Sequence, residues 1–131
     1  MTTENLIKKV VKEMEDLLIT KNRAYGDSAT NPSNIFSSGS PIESLCARID
    51  DKLMRIQNKG INDKTEDTVS DLIGYLILLK VAMHKEKHDE YEEMAESIRL
   101  GGFCNINGKP IETEEQLRYH YDLKDEIDND N

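Results

Sequence analysis

"EDTVSDLIGYLILLKVAM", residues 66–83, is the stretch on which the fold turns. Its apolar residues (Leu72, Ile73, Leu76, Ile77, Leu78, Leu79, Val81 and Met83) are too widely dispersed for a helix with one greasy side. A helix that is apolar nearly all round belongs among other helices. The pattern therefore predicts the central, most buried helix of the fold. It is no membrane span, because the apolar run is short and contains Lys80. "NKGIND" before it reads as a turn, with Asp63 or Thr65 as the expected cap. A more polar helical stretch, about 86–100, follows or continues it.

Working upstream, "SPIE" at 40–43 is a helix start. Ser40 can cap, Pro41 suits the first helical position and Glu43 completes a capping box. This helix is expected to run to about Gln57 with Ile42, Leu45, Cys46, Ile49, Leu53 and Ile56 inward. Residues 4–20 carry Leu6, Ile7, Val10, Val11, Met14, Leu17 and Leu18 at helical spacing, with Thr3 as the expected cap. Lys21 and Tyr25 continue that face, and Gly26 ends the element. Downstream, Asn107-Gly108 between Phe103–Ile106 and Lys109–Ile111 signals a type I′ hairpin, with Pro110 confined to an edge. "TEEQ" at 113–116 opens a short last helix. The expected architecture is an all-α single domain over 1–131 with a small C-terminal β-hairpin. It comprises a helical core at 4–100, a hairpin and short helix at 101–122, and a frayed acidic tail at 123–131.

The formal net charge is −9 over 131 residues. Such a surface repels phosphate backbones and anionic lipid, which argues against general nucleic-acid binding and against a membrane partner. It leaves room for a small phosphate held by a local basic cluster. Cys46 and Cys104 are far apart and form no metal or disulfide motif, and Cys46 reads as core packing. The charged N-terminus lacks the apolar segment of a signal peptide. The expected location is intracellular, in a reducing compartment.

Three features carry chemistry. Asp67 and Asp71 are four residues apart on one helix face that continues to Gly74, Tyr75 and Leu78. Two carboxylates there must pair with cations, bind metal or line a wet cleft. Arg48, Lys52 and Arg55 form a basic edge on the preceding helix, with Lys52 inside the apolar arc. If the two helices pack antiparallel, that edge can face the aspartates. The result is either a partly buried salt-bridge network or a phosphate site with Mg²⁺ between the aspartates. The polar loop 27–39 is longer than a helix–helix link needs. Lys21, Asn22 and Tyr25 stand at its start, Gly26 permits close backbone approach, and Phe36 can pack the loop or stack on a base. No Walker or Rossmann glycine pattern is present. His84 and His88, spaced i, i+4 where the helix turns polar, read as solvated.

"KNRAYGDS", "IESLCARIDDKLMRI" and "EDTVSDLIGYLILL" together resemble the nucleotide modification associated domain 1 family over about residues 5–85. That family is distantly similar to the all-α, MazG-like nucleoside triphosphate pyrophosphohydrolases, which are helical, oligomeric and Mg²⁺-dependent. By that resemblance Asp67 and Asp71 stand in for the second acidic motif. The chain departs from it in its DxxxD spacing and in offering Arg48, Asp51, Lys52 and Arg55 where those enzymes have ExxE. The resemblance thus implies a nucleotide-binding protein, with Lys21, Asn22, Tyr25, Gly26, Phe36, Arg48, Lys52 and Arg55 toward the nucleotide and Asp67 and Asp71 toward Mg²⁺. It also implies a homo-oligomer, dimer or higher, in the cytoplasm of a bacterium or phage-infected host. Two alternatives stand beside pyrophosphohydrolase-like turnover. One is a non-catalytic phage-type protein sequestering a nucleotide or signalling dinucleotide. The other is an acidic interaction protein that blocks a nucleic-acid enzyme.

Overall fold

Local signals set most of the boundaries. The computed structural model describes residues 1–34 and 38–129. In the first helix, α1 (Thr3–Ala24), the cap is Thr2 rather than Thr3: its hydroxyl accepts from Asn5 N at 3.2 Å. On α2 (Pro41–Lys59) the capping box forms as expected. Glu43 N donates to Ser40 Oγ at 3.1 Å, and Ser40 N donates to Glu43 Oε2 at 3.3 Å. These bonds satisfy backbone donors that a helix start leaves open. Gly60, at φ 77°, ends α2.

Neither Asp63 nor Thr65 caps the third helix, α3 (Thr68–Arg99). Asp63 is committed to the turn, accepting from Thr65 N at 2.9 Å and from its hydroxyl at 2.6 Å. A cap must stand directly before the first helical residue, and Asp67 does. Its carboxylate accepts from Ser70 N at 3.0 Å and from Ser70 Oγ at 2.8 Å. The polar stretch after residue 85 continues α3 without a break.

The hairpin pairs β1 (Cys104–Ile106) with β2 (Lys109–Ile111), Cys104 opposite Ile111 and Asn105 opposite Pro110. Asn107 and Gly108 have φ of 52° and 79°, the two left-handed residues that a type I′ turn requires. In a two-stranded sheet both strands are edges, which accommodates Pro110. The last helix, α4 (Glu114–Asn129), opens on Thr113, whose hydroxyl accepts from Gln116 N at 3.2 Å. Its backbone is helical through 123–129, a segment the sequence assigns to an acidic tail.

The protein is all-α with a C-terminal hairpin, as its sequence predicts. It divides into two compact units, Met1–Lys85 and Glu86–Asn131, where the sequence suggests one domain. The division falls within "HKEKHDE", where the apolar periodicity of α3 gives way to charge and can no longer hold α1 and α2.

In the first unit Met14, Leu45, Thr68 and Ala82 are buried. A Cβ on Gly74 would stand 3.2 Å from Leu18 Cδ2 and 3.6 Å from Met14 Cε. Glycine costs a helix interior about 1 kcal/mol against alanine. Here it lets α3 lie close against α1. In the second unit Ala95 and Leu117 are fully buried. Tyr91 and Tyr121 meet edge to face at 5.2 Å, and Arg99 pairs with Glu114.

Two burial expectations are corrected. The apolar stretch of α3 is not buried all round: Val69, Leu76, Ile77, Val81 and Met83 are exposed. Only one side of that helix meets α1 and α2, so periodicity alone overstated its burial. On α2, Leu45 is buried, but Leu53 and Cys46 are exposed, so Cys46 is not core packing.

Candidate functional site

A cavity of about 340 Å³ opens among the three helices of the first unit. Its apolar lining is Met14, Leu17 and Leu18 of α1, Leu45 of α2 and Leu78 of α3. Its polar lining comes from the ends of the same faces. The last turn of α1 and its cap give Lys21, Asn22 and Tyr25. Ser44 and Arg48, one turn apart, come from α2. Ser70, Asp71 and Tyr75 come from the first turns of α3, with Gly74 between them. Ser28, Ala29 and Pro32 of the long loop complete the lining.

The start of that loop is held in place. Gly26 and Asp27 both have left-handed φ, 61° and 64°. Lys85 Nζ donates to Asp27 Oδ2 at 3.2 Å and to Thr30 Oγ1 at 3.0 Å, tying the loop to α3. That bond from Lys85, with a second from Thr30, holds the Asp27 carboxyl below the usual range. Gly26 does not line the cavity; a Cβ there would meet nothing within 4 Å, so its part is the turn. Phe36 lies outside the described residues.

The basic edge of α2 divides into two kinds of residue. Lys52 Nζ sits 2.9 Å from Glu66 Oε1 and 3.1 Å from Asp71 Oδ2. Arg55 Nε lies 2.8 Å from Asp63 Oδ2 and 3.1 Å from Glu66 Oε1. The bond to Glu66 raises the Lys52 ammonium above its ordinary value, and the same bond lowers Glu66. Asp63 is pulled down to about 2, first by the Thr65 hydroxyl and amide and then by Arg55. Lys52 and Arg55 therefore belong to the partly buried network, and neither lines the cavity.

Arg48 stands apart from that network. Its guanidinium lies 5.8 Å from the centre of the Tyr75 ring, a cation–π contact. Among the described residues neither Arg48 nor Lys21 has a carboxylate partner. Both line the cavity.

The aspartates also separate. The two oxygens of Asp67 accept from Ser70, and the amide bond holds its carboxyl below the ordinary range. Asp71 lines the cavity and faces Lys52. Among the described residues no three His, Cys, Asp or Glu side chains gather where they could hold a metal ion. An Mg²⁺ site built from protein oxygens alone does not fit this donor set. One that uses Asp71 together with ligand phosphates and water does fit, because Mg²⁺ is often held that way.

Of the ten residues singled out in sequence, the cavity thus gathers Lys21, Asn22, Tyr25, Arg48 and Asp71. Ser44, Ser70 and Tyr75 were not singled out. Ser44 is one turn before Arg48 and Tyr75 one turn after Asp71, so the i, i+4 rule applied to those anchors reaches both. No protein-family model, no curated protein and no solved structure matches the chain. Among the described residues no helix is long and apolar enough to cross a membrane.

Proposed function

We propose that the chain binds a nucleotide in the cavity of its first unit. One observation carries the reading: Lys21 and Arg48, two cations without a carboxylate partner among the described residues, line a cavity that also presents tyrosines and an apolar surface. Cations without a carboxylate partner beside a cleft suit an anion, and an apolar lining suits a base. Arg48 and Lys21 take the phosphates. Tyr75 holds the Arg48 guanidinium in place through its ring face. The base lies against Leu18, Leu45 and Leu78, with Tyr25 beside it. Asn22, Ser28 and Ser44 supply hydrogen bonds to sugar and base edges. The motif resemblance to a nucleotide-associated family supports the same ligand class.

Binding without turnover is the form of this reading that the donor set favours. Among the described residues Asp71 is the one carboxylate in the lining, and Lys52 pairs with it. Should Mg²⁺ accompany the nucleotide, Asp71 is the residue placed to hold it, and the ion would polarise the phosphates. The protein acts in the cytoplasm as a homo-oligomer, a dimer or higher.

Calorimetry over a panel of nucleotides, with and without Mg²⁺, tests the reading. Arg48→Ala should weaken the bound nucleotide by about 1.5–3 kcal/mol, the value of a charge-assisted bond. Wild-type affinity in both Arg48→Ala and Lys21→Ala would remove the cavity from the binding site. Chromatography of the recovered nucleotide separates the two forms: an intact ligand means sequestration, and Mg²⁺-dependent loss of phosphate means an enzyme.

A further inference from the structure

The cations near the cavity divide by what they already hold. Lys52 and Arg55 of α2 are held by Asp63, Glu66 and Asp71. Lys85 of α3 is held by Asp27 and Thr30. Among the described residues the lining itself has two cations, Lys21 and Arg48. Both are exposed, while Met14 and Leu45 of the same lining are buried. The cavity is therefore apolar at depth and cationic at its rim.

The long loop adds no third cation. Residues 24–47, which span it and the approach to Arg48, contain no Lys and no Arg. They offer hydroxyls, amides and the carboxylates of Asp27 and Glu43. No conformation of this segment brings positive charge to the cavity.

We propose that the nucleotide bound here is a monophosphate, held without the help of a divalent cation. This rests on the nucleotide reading above and fixes its phosphate number. A phosphate monoester carries about −1.5 to −2 charges at pH 7. Lys21 and Arg48 match that charge from the rim, with the base turned inward onto the apolar residues. Each further phosphoryl group adds negative charge that finds no cation in the lining. It meets instead the field of a chain whose formal net charge is −9. Mg²⁺ usually offsets such charge through one or two carboxylates and the phosphates themselves. Here Asp71 would have to give up Lys52, 3.1 Å away, to take that part. The volume agrees: about 340 Å³ is near the lower end of the roughly 300–1,000 Å³ of small-molecule sites.

Calorimetry of the full chain tests the inference. The probes are the common nucleosides, their mono-, di- and triphosphates, and inorganic phosphate, each with and without Mg²⁺. For the preferred base the monophosphate should bind tightest, with a dissociation constant that Mg²⁺ leaves unchanged. The nucleoside should bind about a hundredfold more weakly, having lost two charge-assisted bonds. The di- and triphosphate should be progressively weaker than the monophosphate. A di- or triphosphate that binds as tightly as the monophosphate, with or without Mg²⁺, would overturn the phosphate number and leave the nucleotide reading standing. Binding of no nucleotide, or of inorganic phosphate as tightly as every nucleotide, would overturn the nucleotide reading and this inference with it.

Discussion

Replacing Lys52 with Met separates the two readings of the Asp67–Asp71 region. Met keeps most of the apolar stem, so the substitution removes chiefly the ammonium. That ammonium bonds Glu66 at 2.9 Å and Asp71 at 3.1 Å, with 19% of the Lys52 side chain exposed. Exposed ion pairs are worth about 0.2–1 kcal/mol, while breaking a buried pair costs about 3–5 kcal/mol. This pair lies between those limits, so Lys52→Met should cost about 2 kcal/mol. Glu66 still has Arg55 at 3.1 Å and the Thr68 hydroxyl at 3.3 Å, so the uncompensated charge falls mainly on Asp71.

The reverse change is milder. In Asp71→Asn the ammonium keeps Glu66, and the amide oxygen can still accept, so the loss should be about 1 kcal/mol or less. The double variant should recover part of the Lys52→Met cost, with a coupling of about 1 kcal/mol. Urea unfolding of all four proteins, at constant m and with or without Mg²⁺, measures this. If Asp71→Asn is more stable than wild type without metal, and only the wild type gains stability from Mg²⁺, Asp71 is a metal ligand relieved of repulsion. The ion-pair account would then be wrong.

Two further predictions follow from single residues. The Asp63 carboxyl titrates near 2 in the folded chain, below its ordinary 3.8. Its contribution is therefore complete above about pH 4 and is lost as pH falls from there toward 2. Unfolding midpoints across that window should fall more steeply for wild type than for Asp63→Asn, and parallel curves would refute the assignment. At Gly74 a valine would press against Leu18 Cδ2, already 3.2 Å from the first added carbon. Gly74→Val should cost about 1–3 kcal/mol through overpacking, and an unchanged urea midpoint would show that α1 and α3 are free to separate.

The legible parts of the fold were those written in short windows. The Ser40–Glu43 box, the Asn107-Gly108 turn and the Thr113 cap each involve neighbours within four residues, and each formed as expected. The third helix start was misplaced because Asp63, Thr65 and Asp67 all carry capping side chains, and only the turn geometry decides among them. The cavity lining was legible on one helix at a time. Lys21, Asn22, Tyr25, Arg48 and Asp71, picked out from their positions along single helices, all line it. That Lys52 and Arg55 pair with Glu66 and Asp63 while Arg48 does not depends on the register between α2 and the chain leading into α3, which no single helix face encodes. The exposure of α3 was illegible for a related reason: an all-round apolar pattern does not say which sides the other helices cover, and α1 and α2 cover one.

Lys21 and Arg48, which have no carboxylate partner among the described residues, sit in a chain whose formal net charge is −9. An approaching phosphate therefore meets two fields of opposite sign and different range. At long distance the acidic surface repels it; within the cavity the two cations attract it. Ions screen the distant field first, over a Debye length of about 8 Å at physiological ionic strength. Moderate salt should thus speed the encounter of a phosphate ligand while weakening its hold once bound. A nucleotide bound as proposed would therefore exchange faster at higher ionic strength and stay longer in dilute buffer, so its residence time depends on the salt at which it is measured.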